Sequence, residues 1–399
     1  MLRLTIQIET VGLADGTYRI RAKGCIAAVL CWANSRGELS DWAPFAYVPI
    51  APNGEGQFRF TGHRAVPPEA THVLARTVRQ DLTTAEEILQ PLPVRAYPEL
   101  SQNAVHFGVI SDLHLSGKPW TVRKALSLAG QSGAVLCTGD TVNDGLAEQF
   151  ALLWSSVEQV LPEHTPMLAA PGNHDYPILP IPQAIDGVCD WPTLQNRLLD
   201  RAARTGLSCE LDESGAYAVM LDGIDIVGLN VASHYRKMAL RKSGQLTWLE
   251  RHLDTAPASW HMVLCHAPLL AHNPQRLKAN MAPYFSGDGQ LQRILDDHRG
   301  VIFLSGHTHF SFNCSHGCVD MDPERNNLYI NCGSIRPTTL RPDEPLQPKD
   351  WTDGCVVRLA VAGDQVEITA VSMESGRRIS RGYYRFFKGP GHEDPNISG

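Results

Sequence analysis

The sequence predicts an α/β layer domain preceded by an N-terminal β-sandwich-like domain, and three observations carry that reading. Up to about residue 93, short alternating runs such as Tyr18-Arg19-Ile20, Gln57-Phe58-Arg59-Phe60 and residues 72–78 are broken by Gly, Pro, Asn and Asp, the texture of a sandwich. From about Asn103 onward, continuous apolar runs alternate with helical periodicity, as expected of helices packed on sheets. Between the two, Pro91, Pro93 and Pro98 resist helix and sheet alike and favour an extended spacer. The expected organisation is an all-β domain over 1–93, a linker over 94–102, an α/β domain over 103–388 and a flexible Gly- and Pro-containing tail over 389–399.

The 399 residues, 43% of them hydrophobic, suffice for two domains or one large domain with an appendage. A net charge of −7 with no Lys/Arg run argues against nucleic acid or an anionic membrane surface as the main partner. Residues 1–8 alternate apolar and polar, so they read as a strand and not as a signal peptide, and no run reaches membrane-spanning length. The ten cysteines are scattered, several within apolar runs, which fits free thiols in a reducing cytoplasm. Cys314 and Cys318 bracket His316, but no second ligand pair follows at zinc-finger spacing, so they are read as loop cysteines. In the first domain His63 and His72 lack ligand-like neighbours; its expected role is binding, capping or homo-oligomerisation.

In the α/β region, Val105–Ile110 reads as a buried strand ending at Ser111-Asp112-Leu113-His114, which sets an acid and an imidazole on one side of an extended segment. Open α/β sheets place ligands at the carboxyl ends of their strands, so this is a candidate site edge. A helix over 121–131 leads to a second strand, 134–138, ending at Gly139-Asp140. Leu146, Phe150, Leu153, Val157 and Val160 then mark an amphipathic helix with those five in the core. Next comes Pro171-Gly172-Asn173-His174-Asp175. Adjacent side chains of an extended segment point opposite ways, so Asn173 or His174 should face a cavity.

Residues 176–210 are Pro-rich and then helical, with Leu194, Leu198 and Leu199 on one side, a candidate cap. Tyr217–Leu221, Asp222-Gly223 and residues 224–231 predict a hairpin. Leu246, Leu249 and Leu253 mark a further helix, residues 260–265 a strand ending at His266, and 289–298 another helix. Residues 301–304 lead to Gly306-His307-Thr308-His309, whose two histidines would point the same way if extended. Residues 328–331 form a last strand before Gly333-Ser334, and 356–361 with 366–371 form a hairpin suited to the sheet edge.

Five strand ends thus carry Asp112 and His114, Asp140, Asn173 and His174, His266, and His307 and His309. Ligands from five separate strands converge only if they share a site, and this set of oxygen and imidazole donors points to a metal centre.

In order, these blocks read Asp-x-His, Gly-Asp, Gly-Asn-His-Asp, His, Gly-His-x-His, and the chain resembles the calcineurin-like metallophosphoesterase superfamily over about residues 103–340. The resemblance implies a layered β-sandwich flanked by helices. It also implies a binuclear site of two divalent or mixed-valence ions (Mn, Fe or Zn). One metal would be held by Asp112, His114, Asp140 and His309, and the other by Asp140, Asn173, His266 and His307, with Asp140 bridging. Two cations roughly 3.5 to 4 Å apart clamp phosphate oxygens and activate water to hydroxide, implying attack on a small phosphate ester. His174, outside both ligand sets, would protonate the leaving alkoxide or steady the phosphate.

Where phosphoprotein phosphatases of the superfamily carry Asp then Arg, this chain has Asn143 and Asp144, which argues against that branch. The wording Thr138-Gly139-Asp140-x-Val142-Asn143-Asp144 resembles bacterial class III cyclic-nucleotide phosphodiesterases, implying a phosphodiesterase. A phosphomonoesterase of the same fold and a non-catalytic, metal-stabilised scaffold are the alternatives. The N-terminal β-domain lies outside the resemblance.

Overall fold

A computed structural model describes residues 7–10, 17–39, 44, 46–59, 69–91, 100, 103–176, 190–234, 237–240, 244–272, 286–312, 318–336 and 353–388. Most of the expected linker, part of the candidate cap (177–189), the tail, Cys314 and His316 lie outside these residues.

Two sheets form the centre of the α/β region. In the first, Met167–Ala169, Ala134–Cys137 and Val105–Ile110 run parallel; Cys355–Ala362 then pairs antiparallel with Val105–Ile110, followed by Gln365–Ser372 and Arg378–Phe387. In the second, Ile224–Gly228, Trp260–Leu264, Val301–Ser305 and Asn327–Asn331 are parallel neighbours, flanked by antiparallel strands at both edges. Period-two alternation sorts their side chains into layers. Val109, Leu136 and Leu168 join Ile226, Met262, Leu264 and Ile302 in one cluster between the sheets. Ile110, Val135, Cys137 and Met167 face the other way, toward helices α1 (Trp120–Ala129), α2 (Ala147–Val160) and α3 (Trp191–Arg204). On the far side, Val227, Val263 and Phe303 meet α4 (Gln245–Thr255) and α5 (Asp288–Asp297). The order is helix, sheet, sheet, helix, the layered fold implied by the resemblance.

The amphipathic patterns place the helices as expected. Phe150, Leu153 and Val157 of α2, and Leu246, Leu249 and Leu253 of α4, are buried. Leu146 and Val160, at the two ends of the α2 pattern, are only half-buried. The helical part of the candidate cap is a core element: α3 buries Trp191 against Phe150 and packs along Met167–Ala169. Asp222 and Gly223 both have positive φ (48° and 78°), the conformation an Asp-Gly hairpin turn requires. The 356–361/366–371 hairpin lies inside its sheet, because Arg378–Phe387 takes the edge beyond it.

Before the α/β region stand a three-stranded sheet (Gln7–Thr10, Thr17–Arg21, Glu55–Arg59) and a four-stranded one (Ala46–Pro49, Ala27–Ala33, His72–Val78, Thr84–Pro91). Ile20 of the first shares a buried cluster with Leu30, Trp32, Val48 and Val73 of the second, as in a sandwich.

Candidate metal centre

The carboxyl ends of strands from both sheets deliver all the predicted residues to one place. The first sheet supplies Asp112, His114, Asp140, Asn173 and His174, and the second supplies His266, His307 and His309. Donor atoms fall into three groups, each within 4.8 Å: Asp112, His114 and His309; His114, Asp140 and His174; Asp140, His266 and His307. Asp140 Oδ2 lies 3.2 Å from His266 Nε2 and 3.7 Å from His114 Nε2, while His309 Nε2 is 2.9 Å from Asp112 Oδ1.

The route to this convergence differs from an extended strand end. Asp112, His114, Asp140, His307 and His309 all have positive φ, between 44° and 71°. Alternation therefore does not apply: His307 turns to Asp140 and His266, whereas His309, two residues on, turns to Asp112 and His114. Asn173–Asp175 is likewise a 3-10 turn, with Asn173 buried and His174 half-buried. Left-handed non-glycine residues cost about 1–3 kcal/mol each. Five of them approach the net stability of a whole domain, about 5–15 kcal/mol. Strain on that scale persists only where the surroundings over-determine it. Close approach adds a further demand, since a Cβ on Gly172 would overlap Asp140 Oδ1 and one on Gly306 would overlap Ser111 Oγ.

Backbone carbonyls orient two of the imidazoles. His266 Nδ1 lies 3.0 Å from Thr138 O and His174 Nδ1 2.7 Å from Asn143 O, so each Nδ1–H donates outward. Ser111 Oγ donates to Asp112 Oδ2 at 2.5 Å, and the His307 amide donates to the same carboxylate. Asp175, fully buried, accepts from Thr141 Oγ1, Val142 N and Gly172 N, and so closes the turn on the Asp140 loop. The sequence pattern assigns Asp175 no role, although its place beside His174 in the pentapeptide is a signal. Ser334 and Arg336, which donate to the carbonyls of Asp112, Leu113 and His114, carry no such signal, because these partners are backbone groups distant in sequence.

Burial and charge oppose one another here. Burial pushes His114 and His307 down to about 4, which keeps their ring nitrogens neutral. Burial acts the same way on His266, but the Asp140 charge outweighs it and lifts the imidazole to about 9. Burial, with the adjacent Asp140, pushes Asp175 up to about 6. Burial also opposes ionisation of Asp112, yet the His309 hydrogen bond and the surrounding imidazoles hold it below the usual carboxylate range.

These residues fit a metal. Among the described residues, Asn173 Oδ1 and His266 Nε2 are buried with no hydrogen-bond partner, His266 Nε2 having only the Asp140 carboxylate at 3.2 Å beside it. Buried polar atoms left in this way cost free energy unless another group completes them. Imidazole nitrogen, carboxylate and amide oxygen, without thiolate, suit a divalent first-row cation, which would take the place of the proton on His266.

The family model described as calcineurin-like phosphoesterase matches residues 105–311, just over half of the chain. The chain belongs to that family. The phosphoesterase is also similar to several solved structures. PhoD is 12% identical, over 97% of this chain and 92% of that one, with a TM-score of 0.42. GAP50 of Plasmodium is 12% identical over 73% and 90%, with a TM-score of 0.41. The E. coli phosphoesterase YfcE is 14% identical over 69% and 96%, with a TM-score of 0.31. No curated protein matches the sequence. The phosphoesterase is a metal-dependent phosphoric ester hydrolase using divalent ions. Among its described residues, no helix is long and apolar enough to cross a membrane.

Proposed function

We propose that the protein is a binuclear phosphodiesterase acting on a small diester, allied to the bacterial class III cyclic-nucleotide enzymes. Asp112, His114, Asp140 and His309 hold one ion, and Asp140, Asn173, His266 and His307 hold the other. The observation that carries this is the position of Asp140: its Oδ2 faces His114 on one side and His266 on the other, while Oδ1 accepts the His174 amide at 2.8 Å. One carboxylate oxygen is thus directed at both ligand groups. Bound there, divalent cations supply Lewis acidity toward phosphate oxygens and lower the pKa of water.

The protein's own part is positioning and proton transfer. His174, held through Nδ1 by the Asn143 carbonyl, stands edge-on to His114 with ring centroids 4.6 Å apart. From there it serves as proton donor to the departing alkoxide or as a phosphate contact. A backbone carbonyl occupies the orienting role that a carboxylate fills in phosphoprotein phosphatases, consistent with Asn143 and Asp144 departing from that branch.

Bis-p-nitrophenyl phosphate and p-nitrophenyl phosphate, assayed with manganese, compare the diester and monoester readings, and faster turnover of the monoester would overturn the diester assignment. Asp140→Ala should abolish turnover and release both metals by elemental analysis. Two tightly held metals per chain in that variant would show that Asp140 does not bridge.

A further inference from the structure

The loop from Ser111 to Leu115 carries two proposed ligands, Asp112 and His114, both in the left-handed region (φ 52° and 44°). That geometry turns the loop's carbonyls out of the regular strand ladder, so each needs a donor from elsewhere. One short segment provides four of the five. The Ile335 amide donates to Ser111 O (3.2 Å), Ser334 Oγ to Asp112 O (3.2 Å), Arg336 Nε to Leu113 O (3.3 Å) and Arg336 Nη2 to His114 O (2.5 Å). The Asn143 amide takes the fifth, Leu115 O. On the opposite edge, the amides of Asp112 and His114 donate to Gly139 O and Asp140 O. The loop is therefore gripped from both edges, and a single guanidinium spans the carbonyls of Leu113 and His114.

We propose that Arg336 is a positioning residue for the His114 half of the metal centre, with Ser334 supporting it. Arg336 is an exposed side chain, and among the described residues it makes no ion pair; its fork is committed to carbonyls. A planar fork donating to two successive carbonyls fixes their relative orientation, and with it the direction of the His114 ring. A lysine ammonium, a single point on a flexible stem, cannot fix that orientation through two donors of one rigid plane. The inference rests on the binuclear reading, and it concerns one half of the site.

Its test is metal content and affinity in Arg336→Met and Arg336→Lys, measured by titration and elemental analysis, with melting temperatures of metal-loaded and metal-stripped protein. Supporting contacts behind metal ligands are typically worth ~10- to 100-fold in affinity. Arg336→Met should weaken one of the two metals by that factor and leave the other close to wild type. The gap in melting temperature between loaded and stripped protein should shrink, and Arg336→Lys should fall between Met and wild type. Unchanged affinity for both metals, or an equal drop in melting temperature with and without metal, would overturn the proposal. If the Met variant does not fold, Arg336→Lys and Ser334→Ala supply the same readings. Wild-type protein that binds a single metal would sink the binuclear reading instead, and the affinity of that one metal in the variants would still decide the role of Arg336.

Discussion

At the scale of single residues, every proposed ligand was legible in the sequence because each sits where an apolar run stops, at Asp112, Asp140, Asn173, His266 and His307. The local geometry was not legible. Left-handed backbone at five of them goes with tertiary partners such as Arg336, 222 residues from His114, which no local pattern encodes. His174 is the residue whose role most needs experiment, since it falls within one donor group together with His114 and Asp140. If it acts as proton donor, His174→Ala keeps its metal content and slows turnover by on the order of a hundredfold or more. The loss should be smaller for a nitrophenyl diester, whose leaving group needs little protonation, than for an alkyl ester whose alkoxide is strongly basic. Equal losses on both substrates would assign His174 to phosphate positioning, and loss of a metal would make it a ligand.

At the scale of elements, the strands and helices with clean periodicity form close to their expected bounds, and the misses have physical causes. The strand Arg378–Phe387 has no counterpart in the sequence reading; it buries Arg385, which Glu367 neutralises at 2.9 Å while Gln365 takes another of its donors. A charge that finds a partner after folding cannot be recognised as a core position beforehand. A similar buried pairing joins three elements near the amino ends of the second sheet's strands. Asp225, on Ile224–Gly228, lies 3.1 Å from His252 of α4 and 2.9 Å from His261 of Trp260–Leu264; Trp248 stacks on His252, and Glu210 lies 3.8 Å from its other nitrogen. The Asp225 hydrogen bond raises the His252 imidazole above its usual range despite burial. Burial opposes ionisation of Asp225, but its two histidine partners hold its carboxyl below the usual range. The raised group stabilises the fold fully below its unfolded pKa of about 6.5, and that contribution is lost as pH rises through the folded value. The lowered group contributes above its unfolded pKa of about 3.9 and loses that contribution as pH falls through its folded value. The pair is therefore strongest between these limits. In urea unfolding, His252→Gln should destabilise the protein more at pH 5.5 than at pH 8.5, and an equal deficit at both would show that charge plays no part in this contact.

At the scale of the whole molecule, the apolar clusters of the described residues fall into two sets, one ending at Leu89 and the other beginning at Val105. The clusters containing Ile20, Trp32 and Val73, and Cys31, Ala33 and Leu74, draw on no described residue beyond Leu89, and the three clusters of the α/β layers draw on none before Val105. A polar contact crosses the boundary, the ion pair of Glu69 with Arg378 at 2.6 Å, and contacts of that kind contribute little beside an apolar core. We therefore propose residues 1–93 as a separate domain that governs assembly or access, not chemistry. A chain beginning at residue 94 should be soluble, bind metal with wild-type stoichiometry and retain turnover on the nitrophenyl diester. Its melting temperature should fall only slightly, because no apolar cluster of the described residues is cut. Size-exclusion chromatography of the two forms addresses assembly: if the β-domain joins copies of the chain, the full-length protein elutes as an oligomer and the shortened one as a monomer. A shortened chain that aggregates or loses its metals would show that the two regions fold as one unit, and an unchanged oligomer would move the interface to the α/β layers.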